Sequence, residues 1–215
     1  MHTLPASFTA KRSYKKNTAT VRLSEDELDE AVNEVCDEYR AVGLMTQTLW
    51  DTPVHGTKLD LESWGYWGIY YAEGNGGWSM LGFEPGSIYL PLARLKERPA
   101  GTRKFRHTLK DVLRHEFAHA LAYQGGELVI DNPRFESAFG AHHDEPESSC
   151  APRKNYVTNY AATKPREDFA ETMMVYVRNA GVIPLYAARP RLLAKMRFVA
   201  SLPRRIVTLG LGESV

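Results

Sequence analysis

The chain has 215 residues, 43% of them hydrophobic and 25% charged, with a formal net charge of +1. That length buries a sizeable core without staples, and the composition is that of a soluble globular protein. The near-neutral charge implies no bulk polyanion partner, so no nucleic acid is expected, and no apolar run approaches membrane-spanning length, so no membrane is expected.

The two cysteines, Cys36 and Cys150, cannot form a zinc ribbon. Thiols in a reducing compartment are expected, with one disulfide between them as the alternative. Residues 1–20 carry Lys11, Arg12, Lys15 and Lys16 but no apolar h-region. They read as a flexible basic arm and not as a secretory signal, and residues 21–215 as a single domain. The default location is cytoplasmic, with non-classical export left open.

Ser24-Glu25-Asp26-Glu27 is a capping box, so a helix is expected to open there and run to about Val42, with Gly43 as its stop. Leu28, Ala31, Val32, Val35 and Tyr39 form its apolar stripe, with Cys36 beside it. Met45–Trp50 is expected as a strand, followed by a polar turn in which His55 is a surface residue. Residues 65–71 are aromatic and β-prone, and Gly74-Asn75-Gly76-Gly77 is a turn. Trp78–Phe83 and Ser87–Leu92 are expected as two further strands. Pro91 suits an edge position in the second of them. An extended peptide could pair with that last strand. The aromatic residues here read as sheet packing.

Arg94–His107 is a basic loop leading to Thr108, the expected N-cap of a helix that ends near Tyr123, before Gly125-Gly126. This helix carries His115-Glu116-Phe117-Ala118-His119, the pattern H-E-x-x-H. Residues four apart share a helix face, so His115 and His119 can offer two imidazoles to one zinc ion. Glu116 sits one position round, close enough to reach a water on that metal without being a ligand. Apart from Arg114 and the motif, residues 112–122 are uncharged and mostly apolar. The helix is therefore expected to be buried, where His and Glu are costly unless something such as a metal satisfies them.

A third ligand has to come from further along. An H-x-x-G-x-x-H extension is excluded, because the chain has Ala122 and Gly125 at the required positions. The candidates are His142, His143, Asp144, Glu145 and Glu147 in a polar loop, and Glu167, Asp168 and Glu171 further on. The last three fall on a helix with Thr163 as its expected N-cap and Pro165 in its first turn. Glu167 and Glu171 share an inward face with Met174. A zinc for Glu167 and an imidazole N–H for Glu171 would satisfy both, with ion pairs to Arg or Lys as the ordinary alternative. Asp168 faces elsewhere and reads as a solvated or helix N-terminal charge. Residues 190–202 form a last helix, with Leu192, Leu193, Met196 and Val199 on one side and a basic, solvated face.

H-E-F-A-H, followed by Y-x-x-T-x-x-x-E-x-F-A-E over Tyr160–Glu171, resembles the gluzincin zinc metallopeptidases. It is most similar to the anthrax lethal factor catalytic domain and the Mlc titration factor A peptidases. The match covers those two blocks only. It implies an α+β, zincin-like domain with a small mixed sheet. It implies one zinc ion per chain held by His115, His119 and Glu167, with Glu116 as general base on a zinc-activated water. Tyr160 would stabilise the tetrahedral intermediate, and Glu171 would orient a ligand histidine. The activity implied is hydrolysis of a protein or peptide substrate, most simply by an endopeptidase. Two other readings stand beside it. One is a non-catalytic binding protein with structural zinc, closed by a fourth ligand such as His142, His143 or Asp144. The other is a toxin-like peptidase effector delivered into another cell.

Overall fold

Two capping boxes set the frame of the domain. The computed structural model describes residues 23–61, 65–72, 76–92, 108–146 and 152–212. The basic arm, the basic loop at 94–107, Gly74, Asn75, Glu147 and Cys150 lie outside the described residues. Ser24 caps α1 (Glu25–Ala41), with its side chain and that of Glu27 each accepting the other's backbone N–H. Leu28, Ala31, Val35, Cys36 and Tyr39 are buried along one face of α1, while Val32 is half-buried. Thr108 and Asp111 cap α4 (Leu109–Gln124) in the same reciprocal way.

Every residue of α4 from Asp111 to Ala122 is buried, so this helix runs through the middle of the molecule. α6 (Pro165–Arg178) packs alongside it, and α1 and α7 (Pro190–Thr208) pack around the pair. The buried Arg114 guanidinium joins α4 to α1. It donates to both carboxylate oxygens of Glu38, at 2.6 and 2.7 Å, and to Asp111 at 2.7 Å. Tyr39 adds a hydrogen bond to the Arg114 carbonyl at 2.6 Å. A charge removed from water in this way is tolerated because two carboxylates meet it with three hydrogen bonds.

The other half is a three-stranded mixed sheet in the order β1-β3-β2. β1 (Val54–Thr57) runs parallel to β3 (Ser87–Pro91), with Val54 opposite Ile88. β2 (Ile69–Tyr71) runs antiparallel to β3, with Ile69 opposite Tyr89. Its far face packs a second small core of Leu61, Ile69, Tyr71, Phe83 and Tyr89. The architecture is therefore α+β, as expected, and no helix among the described residues is long and apolar enough to cross a membrane.

Several local expectations are corrected. Met45–Trp50 is not a strand: Thr46 accepts the Leu49 N–H and opens the short helix α2 (Gln47–Trp50). Trp78–Phe83 is not a strand either, but the end of a helical turn, α3 (Gly76–Ser79), and the hydrogen-bonded turn after it. Its aromatic residues stack into the second core, with the rings of Phe83 and Tyr89 3.9 Å apart. His55 lies within β1, half-buried against the Tyr89 ring. β3 is the central strand, so neither of its edges is open to a peptide. Pro91 is tolerated there because it closes the strand, beyond the last residue that β2 pairs. α6 starts one residue later than expected, with Lys164 at the N-cap, while the Thr163 hydroxyl donates to the Tyr160 carbonyl. A further helix, α5 (Pro133–Phe139), fills part of the stretch between α4 and α6. α7 continues past Pro203 to Thr208.

Candidate metal centre

The 3.6-residue period of α4 brings His115 and His119 to one face, pointing towards α6. Glu171 Oε1 lies 2.8 Å from His115 Nδ1. A carboxylate only accepts, so Nδ1 carries the proton and Nε2 presents its lone pair to the centre. His119 Nε2 is 3.0 Å from His115 Nε2. Glu167 Oε2 is 3.2 Å from His115 Nε2 and 3.3 Å from His119 Nε2. Three electron-rich atoms, one from each of three buried residues, thus converge from two helices. This His115–His119–Glu167 group could hold a metal ion. A cation at their centre would relieve the repulsion between converging lone pairs that only a shared proton could otherwise ease.

The electrostatics describe the shared-proton alternative, in which a raised His115 and a depressed Glu167 form an ion pair. Burial acts to raise the Glu167 carboxyl, but the two imidazoles outweigh it and hold the group well below the usual carboxylate range. Burial acts to lower His115, but its hydrogen bonds to Glu167 and Glu171 prevail and raise it. Arg166 Nε also donates to Glu167 Oε1 at 3.3 Å. Glu171 itself is fully enclosed, which fixes the orientation of the His115 ring.

Glu116 is not part of the converging group. It is 5% exposed, and burial raises its carboxyl, offset in part by the two histidines. Its Oε2 accepts the backbone N–H of Tyr70 on β2 at 2.7 Å. Tyr160 stands at the other side, held by the turn in which its carbonyl accepts from Thr163, with its ring 5.8 Å from that of His115. Partial desolvation of the hydroxyl end of a ring that is 45% exposed, then the Glu167 and Glu116 carboxylates, raise the phenol, so it stays protonated and can donate. A cleft of about 270 Å³ opens over these groups. Its lining is His115 and Glu116 from α4, Tyr160, and the segment Gly65-Tyr66-Trp67-Gly68 that leads into β2.

The structure brings together His115, Glu116, His119, Tyr160, Glu167 and Glu171. It corrects the reading of two neighbours. Asp168 is neither solvated nor a simple helix-end charge: it is buried and paired with the equally buried Lys195 at 2.5 Å. Lys195 therefore leaves the solvated basic face assigned to its helix. His143 is not loop surface, because its ring is enclosed by Tyr123, Phe135 and Phe169, with Nδ1 2.8 Å from Asp144. His142 and Glu145 are exposed, and neither these residues nor Asp144 joins the converging group. Gly68, Tyr70 and Arg166 were missed. Arg166 is the neighbour of Glu167 and was open to inspection, whereas Tyr70 meets Glu116 across 46 residues, a distance no local pattern reports.

No protein-family model, no curated protein and no solved structure matches this chain.

Proposed function

We propose that the chain is a zinc-dependent peptidase of the gluzincin type, on a zincin-like domain, hydrolysing a protein or peptide substrate. The observation that carries this reading is the spacing of the three donors beside an acid that is not one of them. Ligands about 2.0–2.1 Å from a tetrahedral zinc lie about 3.3 Å from one another. The donors of His115, His119 and Glu167 are 3.0, 3.2 and 3.3 Å apart. A structural site is closed by a fourth protein ligand, and among the described residues the group has three.

When bound, zinc would act as a Lewis acid and lower the pKa of a water towards neutrality. The chain's own groups do the rest. Glu116 takes the proton from the attacking water and delivers it to the leaving amine. Tyr160 donates its O–H to the developing oxyanion, a bond that strengthens only as charge appears there. Glu171 keeps the His115 proton on Nδ1 throughout. The cleft wall that a substrate would meet is the approach to β2, in place of the β3 edge expected earlier.

Metal analysis of purified protein should find one zinc per chain. Glu116→Gln should fold, keep zinc and lose nearly all hydrolysis of an unfolded protein substrate. If wild type cleaves nothing across a broad peptide library, and binds partners as well as that variant does, the peptidase reading fails.

A further inference from the structure

The short strand β2 does more than border the cleft. It pairs with β3 along one edge only, and Gly86 N–H donates to the Tyr71 carbonyl on that side. Alternate backbone amides along a strand point to opposite edges. The amides of Ile69 and Tyr71 therefore belong to the β3 side, and that of Tyr70 points outwards. No described strand receives it there. Its acceptor is Glu116 Oε2, 2.7 Å away.

Two residues earlier, the chain passes so close to the same carboxylate that no side chain fits. A Cβ placed on Gly68 would lie 2.9 Å from both Cγ and Oε1 of Glu116, and 2.8 Å from Cγ1 of Val112. Real Cβ contacts are not this short. None of these atoms can simply step aside. Val112 is β-branched on a helix, with one preferred rotamer, and Glu116 is tethered at its other oxygen.

We propose that Gly68 and the backbone amide of Tyr70 are positioning residues for Glu116. The amide anchors Oε2, and the missing side chain leaves Oε1 free on the cleft side. The carboxylate is then held against rotation with one oxygen committed and one available, so its reach is set before a substrate arrives. The inference rests on the peptidase reading for its catalytic meaning, but the contact itself can be tested without any substrate.

Amide hydrogen exchange on the full chain, followed by NMR, provides that test. In wild type the Tyr70 amide should exchange slowly despite its outer-edge position. In Glu116→Ala, and in Gly68→Ala, it should exchange at least about tenfold faster, while Ile69 and Tyr71 keep their rates. An unchanged Tyr70 rate in Glu116→Ala overturns the anchor, whether or not Gly68→Ala folds and whether or not the protein is a peptidase. For a peptide that wild type cleaves, Gly68→Ala should keep its zinc and KM and lose about 10²-fold in kcat, the lower range for a misplaced base. Full kcat in that variant overturns the need for glycine.

Discussion

Tyr160, 45% exposed, and His143, buried, show how surroundings give two ordinary side chains specific properties. The Tyr160 phenol is kept protonated beside two carboxylates, so Tyr160→Phe removes a donor without altering the His115–His119–Glu167 group. A loss of about 10²-fold in kcat with KM unchanged is expected in steady-state assays. A loss confined to KM would instead make Tyr160 a substrate-binding group. Glu167→Ala should bind zinc far more weakly in a competition titration with a chelator, because Arg166 beside it is a cation and cannot take its place. His143 carries a pH effect. Burial pushes its imidazole down, more than Asp144 pushes it up, with His119 and Arg166 adding to the depression. Below about pH 6.5 the unfolded chain takes up this proton and the folded one does not. Stability should therefore fall as pH drops from about 6.5 towards the depressed folded value. Thermal melts across that range should show a shallower slope in His143→Gln.

The helices α1, α4 and α6 were legible because each starts with a local chemical signal; α1 adds an apolar stripe, while α4 and α6 carry runs that are buried almost throughout. The short elements were not. α2 has four residues and α5 seven, too few for a helical period to stand out from strand-like alternation. α5 does carry readable punctuation, with Asn132 as its cap, Pro133 in its first turn and Gly140 in the left-handed region beyond its end. In the stretch 78–83 the aromatic residues are packed as a stack and not paired as a strand. A helix-to-helix fastening was also invisible. Lys195 of α7 reaches Asp168 of α6, donates to the Asn155 carbonyl at 2.8 Å and lies 4.0 Å from the centre of the Tyr156 ring. Burial raises the Asp168 carboxyl, to about 7, in spite of Lys195. Lys195→Met would leave that carboxyl alone in the core, and a loss of about 3–5 kcal/mol is expected by urea unfolding. The double variant with Asp168→Asn should recover much of it. A single variant with unchanged stability would show that the pair fastens nothing.

At the scale of the molecule, the candidate site was legible where its residues fall in two compact sequence blocks, His115–His119 and Tyr160–Glu171. It was illegible where a block meets a distant segment, as Glu116 meets Gly68 and Tyr70. A metal bound between α4 and α6 stabilises the folded chain by mass action. Free zinc at about 100 times its Kd should add about 2.7 kcal/mol. Differential scanning calorimetry should show this gain in wild type and lose it in Glu167→Ala. The two helices that supply the donors are joined by a long excursion, since Glu167 lies 48 residues beyond His119 and α5 lies between them. An ion that ties both ends is a reversible cross-link, and cross-links of long loops constrain the unfolded chain most. Stripping the ion opens the loop without breaking a covalent bond, so nicking by an added protease should begin within it. Metal supply would then govern how long each copy of the protein survives.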